Sequence, residues 1–283
     1  MAVRAALAAL VALSLVAGPA WGKGTAGVAA LQTALSAKGM YDGTIDGVAG
    51  PQTRSAVRRF QRNVGLTPDG VAGIRTKRAL GRYARHRIGS RVLHRGNFGW
   101  DVAALQFQLA WHGFASGNFD AVYGERTHEA VLAFQEWAGL GADGRAGPAT
   151  WTALQQAPAS CPIRLGWPLH GAVVSPFGPR GSRFHEGVDI DAPEGMTVGA
   201  SRSGRVVFAG WNDGFGQLVI LAHHHGVTTY YAHLSRILVI EGQRLSAGDT
   251  LGRVGHTGNA TGPHLHFEAH LRGAAVNPLP ALR

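Results

Sequence analysis

The spacing of hydrophobic residues differs between the two halves of the chain. In the first half, apolar residues recur every three or four positions up to Leu35 and stop before Gly39. This period is typical of one face of a helix, and glycine commonly ends a helix in the left-handed conformation. Further helices are predicted from about 53 to 63 and from about 74 to 80. The pattern predicts a small three-helix unit.

The three-helix pattern occurs twice. A shift of 74 positions aligns Val28 with Val102 and continues without a gap, with about half of the positions identical. A unit of this size is small but sufficient for an independent core. We therefore predict two all-α domains, repeat 1 at 24–81 and repeat 2 at 98–157, joined by a basic linker at 82–97.

The second half of the chain alternates apolar and polar residues with a period of two. A Pro-rich linker is predicted at 158–165, followed by a domain at 166–283. Short strands separated by glycine-containing turns indicate a mainly antiparallel β domain. The fold class predicted for the whole chain is multidomain α+β. The clearest strand candidates are 205–209, 217–221, 227–231 and 265–268.

The chain is basic. Lys and Arg total 27 and Asp and Glu total 17, a formal charge of +10. This charge favours polyanionic surroundings, and anionic wall polymers are one expected partner. We find neither zinc-finger spacing nor an aromatic RNA-binding signature, so we expect no nucleic-acid partner.

The first residues have the order of a secretory signal. Arg4 precedes an apolar run that ends at Ala17, and small residues follow, so that cleavage after Ala20 or after Gly22 fits the pattern. The run is shorter than the ~20 residues needed to span a bilayer. We predict a signal peptide at 1–22, export, and no stable membrane anchor after cleavage. We expect the protein to be secreted, in the periplasm or associated with the cell wall.

Five residues from three separated fragments offer the chemistry of a metal site. His264 and His266 lie two apart in a predicted strand, so both imidazoles project to one side. His185 and Asp189 lie four apart, and His233 lies in a third fragment. Three nitrogen and oxygen ligands with an open fourth position suit a catalytic zinc. Spacing alone does not separate ligand from base within the His264 and His266 pair.

Repeats 1 and 2 resemble the peptidoglycan-binding domain of bacterial wall hydrolases. The matching pattern includes a Leu-Gln helix start, an Asp-Gly loop and a Thr-x-x-Ala-Val-x-x-Phe-Gln helix. The resemblance implies that both repeats bind peptidoglycan. Within the motif we expect Phe60, Gln61, Phe134 and Gln135 to serve packing and capping rather than ligand binding.

The C-terminal domain resembles the lysostaphin/LytM-type zinc endopeptidases of bacterial cell walls, which implies their LytM-like duplicated hybrid motif. By that resemblance His185, Asp189 and His266 bind one Zn²⁺ per catalytic domain, and His264 is the general base. His233 takes the second catalytic position and, with zinc, stabilises the oxyanion. The matching stretches are Ser175–Arg180, Phe184–Ile190, Tyr231–Ser235, Gly255–Gly258 and Thr261–Glu268.

The resemblance implies a secreted endopeptidase that cleaves peptide bonds in peptidoglycan stems or cross-bridges. Degenerate members of the family lose zinc ligands and activate other hydrolases, whereas this chain keeps the full set. A non-catalytic activator of a murein amidase, or an amidase itself, are the alternative functions. The sequence does not identify the bond that is cut, and it does not indicate an oligomer.

Other polar residues have more ordinary interpretations. His223, His224 and His225 fit an exposed hairpin tip, and His256 lies in a glycine-rich loop near the predicted site. Glu268 is a candidate for orienting a ligand imidazole.

Overall fold

The computed structural model describes residues 24–156, 161, 163–181 and 183–283. The predicted signal peptide at 1–22 lies outside the described residues, and so do residues 158–160 and 162 of the predicted linker at 158–165. The boundaries of the predicted domains stay predictions. The α-helices of the described residues form two groups of three: α1 (Ala26–Ser36), α2 (Pro51–Asn63) and α3 (Ile74–Ala79), then α4 (Trp100–Trp111), α5 (Glu125–Trp137) and α6 (Pro148–Leu154).

The helix ends follow the local sequence closely. Gly39 has a φ of +67°, so the glycine expected to end the first helix is left-handed. The second helix begins at Pro51, two residues before its predicted start, because proline suits the first helical position. No helix in the described ranges is long and apolar enough to span a membrane.

The second half of the chain is an antiparallel sheet, which confirms the predicted fold class. The described strands are β1 (Val173–Ser175), β2 (Gly178–Arg180), β3 (Arg183–His185), β4 (Val188–Asp191), β5 (Thr197–Gly199), β6 (Gly204–Asn212), β7 (Gly216–Ala222), β8 (Val227–Ile237), β9 (Arg244–Leu245), β10 (Thr250–Val254), β11 (His264–Leu271) and β12 (Ala274–Val276). The order across the main sheet is β1, β4, β11, β8, β7, β6 and β9. In addition, β10 pairs with β5 and β8, β12 pairs with β11, and β2 and β3 form a separate hairpin. The sequence pattern had indicated β6, β7, β8 and β11 among these.

Each repeat contains two buried glutamines on helices, and each glutamine forms hydrogen bonds to a neighbouring loop. Gln61 is 2% exposed; its Nε2 donates to Asp69 Oδ1 at 2.7 Å and to Val71 O at 3.0 Å. Its Oε1 accepts the Gly70 N–H at 2.9 Å. These bonds satisfy buried polar groups of the loop, in line with the packing and capping role expected for Gln61. Equivalent networks surround Gln32, Gln106 and Gln135.

Repeat 2 packs directly on the β domain. The Ala115 N–H donates to Ala275 O at 2.8 Å, next to an isolated β-bridge. The Phe119 and Phe184 rings meet edge to face with centroids 5.8 Å apart. Two exposed ion pairs also cross this interface, Arg126 with Glu186 at 2.9 Å and Arg272 with Glu136.

Replacing Gln61 by Leu is expected to lower the free energy of unfolding by ~1–3 kcal/mol, because the buried Gly70 N–H loses its acceptor and the Asp69 carboxylate loses a donor. Chemical denaturation of the variant and the parent protein measures this difference. Gln52→Leu is the matched control, since Gln52 lies exposed on the same helix. An equal loss for both variants would contradict the structural role of Gln61.

Candidate metal centre and catalytic cleft

Three of the predicted site residues converge on one point. Asp189 on β4 and His266 on β11 are direct cross-strand partners, so their side chains share a face of the sheet. His185, the last residue of β3, reaches the same point from the hairpin. The Asp189 Oδ1 lies 3.1 Å from His185 Nε2 and 2.8 Å from His266 Nδ1, and the two nitrogens are 3.1 Å apart.

The donor set fits a tetrahedral metal ion. In a tetrahedral zinc site with bonds of about 2.0–2.1 Å, neighbouring ligand atoms are about 3.3 Å apart, so a small expansion of this triangle would seat the ion. The outer nitrogens of both imidazoles already have partners. His185 Nδ1 lies 2.9 Å from Pro176 O, and His266 Nε2 lies 2.9 Å from Glu268 Oε1. These bonds leave the inner nitrogens free to coordinate.

The site favours positive charge at its centre. Burial alone would raise the pKa of Asp189, but hydrogen bonds from His185, His266 and Arg180 hold that pKa well below its usual range. For His266, burial is outweighed by hydrogen bonds to Asp189 and Glu268, which raise its pKa to about 9. A metal ion at Nδ1 would therefore take the place of a proton.

A chain of polar groups extends behind His266. The second oxygen of Glu268 lies 2.7 Å from His270 Nε2, and His270 Nδ1 lies 3.1 Å from Gly273 O. Tyr230 stacks on the His270 ring at 4.4 Å. Both Glu268 and His270 are buried. The hydrogen bonds between charged forms outweigh the effect of burial, so the pKa of His270 is raised and that of Glu268 is lowered. Glu268 was predicted from the sequence to orient a ligand and His270 was not, although the period of two places His266, Glu268 and His270 on one side of β11.

His264 stands beside the three donors. Its Nδ1 lies 2.9 Å from Gly262 O, and its Nε2 lies 3.8 Å from Asp189 Oδ1. With Nδ1–H donating to the carbonyl, the lone pair of Nε2 faces the cleft. Its position on the same side as His266 agrees with the predicted strand period.

His233 reaches the cleft through an irregularity in β8. Simple alternation would place His233 with Tyr231, which is fully buried against Phe267. Instead the pairing of β8 with β7 shifts register between Tyr231 and Leu234, and His233 has a φ of +60°. A bulge of this kind re-aims a side chain, and backbone strain of this kind clusters at functional sites. The His233 ring lies 4.9 Å from the His264 ring.

The His233 imidazole is neutral in this environment. Burial is the largest effect and lowers its pKa to about 4. Its Nδ1 lies 2.8 Å from Thr257 O. With Nδ1–H donating to that carbonyl, Nε2 of the neutral ring is an acceptor directed at the cleft.

Residue 187, between His185 and Asp189, is a glycine because there is no room for a side chain. A Cβ at this position would lie 2.5 Å from Phe267 O and 3.0 Å from His266 Cε1. The φ of Gly187 is not in the left-handed region, so the backbone conformation does not require a glycine here. The glycine instead permits close approach of β11.

The five predicted site residues line an open cleft of about 450 Å³. Several other residues that line the cleft were given no role from the sequence, because no regular spacing relates them to the histidines. Arg180 lies within a quoted motif and donates to Asp189 Oδ2 at 2.7 Å. The Asn259 N–H donates to Gly214 O at 3.0 Å, which joins two loops at the rim. The other cleft residues are Asn212, Phe215 and Thr261.

The remaining histidines lie elsewhere. His256 is exposed, pairs with Glu194 at 3.1 Å and does not line this cleft. His224 and His225 are exposed in a tight turn, as expected for a hairpin tip. His223 is half-buried, with Nε2 at 2.8 Å from Thr229 Oγ1.

The cleft lies in a part of the chain that matches a known protein family. Residues 183–278 match the model of Peptidase family M23, and residues 24–80 and 99–154 match that of the “Putative peptidoglycan binding domain”. The chain is 44% identical over 117 residues to the DD-carboxypeptidase/endopeptidase Mpg of Neisseria meningitidis, which covers 39% of this chain and 27% of Mpg. It is 38% identical over 114 residues to the murein hydrolase activator NlpD of Escherichia coli, covering 40% of this chain and 30% of NlpD. The chain thus spans between a quarter and a third of these relatives.

A solved structure of the catalytic domain of lysostaphin from Staphylococcus simulans is 36% identical, covers 40% of this chain and 88% of that domain, and gives a TM-score of 0.34. The matched region 183–278 contains every one of the five residues around the cleft. The chain carries a peptidase family M23 domain, preceded by two copies of the peptidoglycan-binding domain.

Proposed function

We propose that the protein is a zinc-dependent endopeptidase that cleaves peptide bonds in bacterial peptidoglycan. The observation that supports this most is the meeting of His185, Asp189 and His266 at one point of an M23 domain, with two further imidazoles beside them. We also propose that the protein acts outside the cytoplasm, where peptidoglycan lies.

His185 Nε2, Asp189 Oδ1 and His266 Nδ1 would hold the zinc ion. When bound, Zn²⁺ supplies a Lewis acid that makes water a nucleophile near neutral pH and offsets negative charge on the substrate oxygen. Arg180 fixes the other carboxylate oxygen of Asp189, so that Oδ1 keeps its inward direction.

His264 would act as general base. Its Nε2 accepts a proton from the attacking water while the water oxygen bonds to the scissile carbonyl carbon. The carbon–nitrogen bond then breaks, and the proton passes to the departing amine. Because Nδ1 is held by Gly262 O, the ring keeps Nε2 towards the cleft throughout.

His233 would stabilise the oxyanion from the other side of the cleft. In the neutral ring with Nδ1–H on Thr257 O, Nε2 is an acceptor, so donation to the oxyanion requires His233 to take up a proton from solvent as the imidazolium. The backbone irregularity at His233 fixes the ring 4.9 Å from that of His264, close enough for the two to act on one substrate group.

Replacing His264 by Ala is expected to lower hydrolysis of a soluble stem peptide by ~10²–10⁴-fold, because the base is lost. Bound zinc, measured by metal analysis after dialysis, should stay near the parent value. His185→Ala should lose both zinc and activity. Loss of zinc in the His264 variant would mean that base and ligand have been exchanged.

Replacing Glu268 by Gln is expected to weaken zinc affinity by ~10–100-fold, because the carboxylate that orients His266 is lost. Competition with a chelating indicator at fixed pH measures the affinity. Glu241→Gln, at an exposed position, is the matched control. Unchanged affinity in a folded Glu268 variant would show that this carboxylate does not act on the metal ligand.

Removal of both repeats, leaving a chain that starts at Cys161, is expected to reduce action on intact cell wall by ~10²-fold relative to action on a soluble peptide, because tethering raises the local substrate concentration. Release of soluble fragments from purified wall and cleavage of the peptide give the two rates. The peptide rate also reports whether the β domain stays folded without Phe119 against Phe184. Equal losses on both substrates would argue against tethering.

An activator of a murein amidase is the second candidate function, and similarity to NlpD favours it. An activator would stimulate a partner hydrolase while releasing no fragments from purified wall itself. Mass spectrometry of released fragments separates an endopeptidase from an amidase, because the new termini identify the bond.

A further inference from the structure

Repeat 1 contains an open groove. A cavity of about 600 Å³ lies against α1, α2 and the loop that contains Ala72, and repeat 2 contributes Trp100 to its wall. We call this cavity the repeat 1 groove. The 74-residue shift between the repeats makes it possible to compare the same place in repeat 2.

In repeat 2 the matching place is filled by the chain itself. Leu93, from the basic linker, forms an antiparallel bridge with Ala146, with N–H to O distances of 3.1 and 2.9 Å. Leu93 and Ala146 are fully buried. Tyr123 and Trp151 are buried as well and fill the rest of the space.

Repeat 1 has a smaller or a polar residue at two of these positions. Ala49 aligns with Tyr123 and Lys77 aligns with Trp151, whereas Ala72 aligns with the identical Ala146. Ala72 is only half-buried, and within the described residues its backbone forms no bridge of the kind that Ala146 makes. Val71, beside it, is 64% exposed. The groove therefore has room for an extended segment, and Ala72 could pair with it.

The charges around the groove indicate an anionic occupant. Arg54, Lys77 and Arg87 line it, and none of the described lining residues is acidic. The floor is apolar and includes Val28 and Val57. A short extended peptide with small apolar side chains and free carboxylates matches both features.

The residues before Gly24 match the groove poorly. Residue 19, which the shift aligns with Leu93, is a proline and has no N–H to donate as Leu93 does. Residues 17–23 contain no carboxylate and include Lys23, which would meet a groove lined by cations.

We propose that the repeat 1 groove binds the stem peptide of peptidoglycan, which adds as a short strand beside Ala72, while repeat 2 is occupied by its own linker. The proposal rests on the proposed function in the choice of peptidoglycan as the source of the peptide. It assigns recognition of the stem to one of two similar repeats.

The test uses the full chain carrying His264→Ala, so that the probe is not cut. The probe is the synthetic tetrapeptide L-Ala-γ-D-Glu-meso-diaminopimelate-D-Ala, titrated into methyl-labelled protein and followed by NMR. We expect the methyl signals of Ala72 and Val71 to shift. Ala49→Tyr, which introduces the residue of repeat 2, should weaken this binding by about tenfold or more. Ala149→Tyr, at an exposed alanine, should leave it unchanged.

A second test changes the charge of the groove without filling it. Lys77→Glu should weaken binding by about tenfold, and Arg78→Glu, an exposed neighbour outside the groove, by less than about twofold. Melting temperatures check that each variant is folded. The proposal is wrong if Ala72 and Val71 do not respond, or if Ala49→Tyr binds as the parent does. It is also wrong if the probe binds only after residues 1–23 are removed, since the groove then belongs to that segment.

Failure of this proposal is distinguishable from failure of the proposed function. If Ala49→Tyr, with His264 restored, sediments with purified wall and cleaves soluble peptide like the parent, the groove is not the recognition site but the function stands. If the parent protein neither sediments with wall nor cleaves peptide, the proposed function itself is wrong.

Discussion

The cleft depends on one cross-strand pair, Asp189 opposite His266. The two residues are 77 apart in sequence, and their side chains meet because β4 and β11 are antiparallel neighbours in a single register. A slip of β11 by one residue would turn His266 to the opposite face of the sheet, away from Asp189. The buried Leu265 and Phe267 on the other face of β11 oppose such a slip, since it would expose them. The core of the sheet thus fixes the geometry of the donors.

A second layer of contacts sets the direction of each ring. Pro176 O, Gly262 O and Thr257 O each lie within hydrogen-bond distance of the outer nitrogen of a histidine, and Glu268 does the same for His266. Backbone carbonyls only accept hydrogen bonds, so the contacts of His233 and His264 fix the orientation of each ring. His185 Nδ1 also lies 2.8 Å from Nη2 of Arg180. His266 differs from the others, because its partner Glu268 also contacts His270. This buried chain links the donor site to the end of β11.

Much of this arrangement could be predicted from the sequence, for identifiable reasons. Helices and strands followed from periodicity, and the donor residues from their types and motifs. His233 could be assigned only by resemblance, because alternation places it with the buried Tyr231 and only a bulge turns it outward. Arg180 and His270 were missed because their contacts depend on the hairpin and on the depth of the sheet. The sequence also did not reveal that the repeat 1 groove is open while the matching place in repeat 2 is filled, because this depends on where Leu93 lies.

The packing of repeat 2 on the β domain has a consequence for catalysis on a polymer. Arg126 meets Glu186 one residue from His185, and Phe119 meets Phe184 one residue before it. Repeat 2 and the β domain therefore keep one fixed geometry, and the β domain does not hang from repeat 2 by a flexible tether. If the protein cleaves peptidoglycan as proposed, only peptide bonds at one distance and angle from the bound wall strand would enter the cleft. The spacing of strands in the wall would then help to select the bonds that are cut.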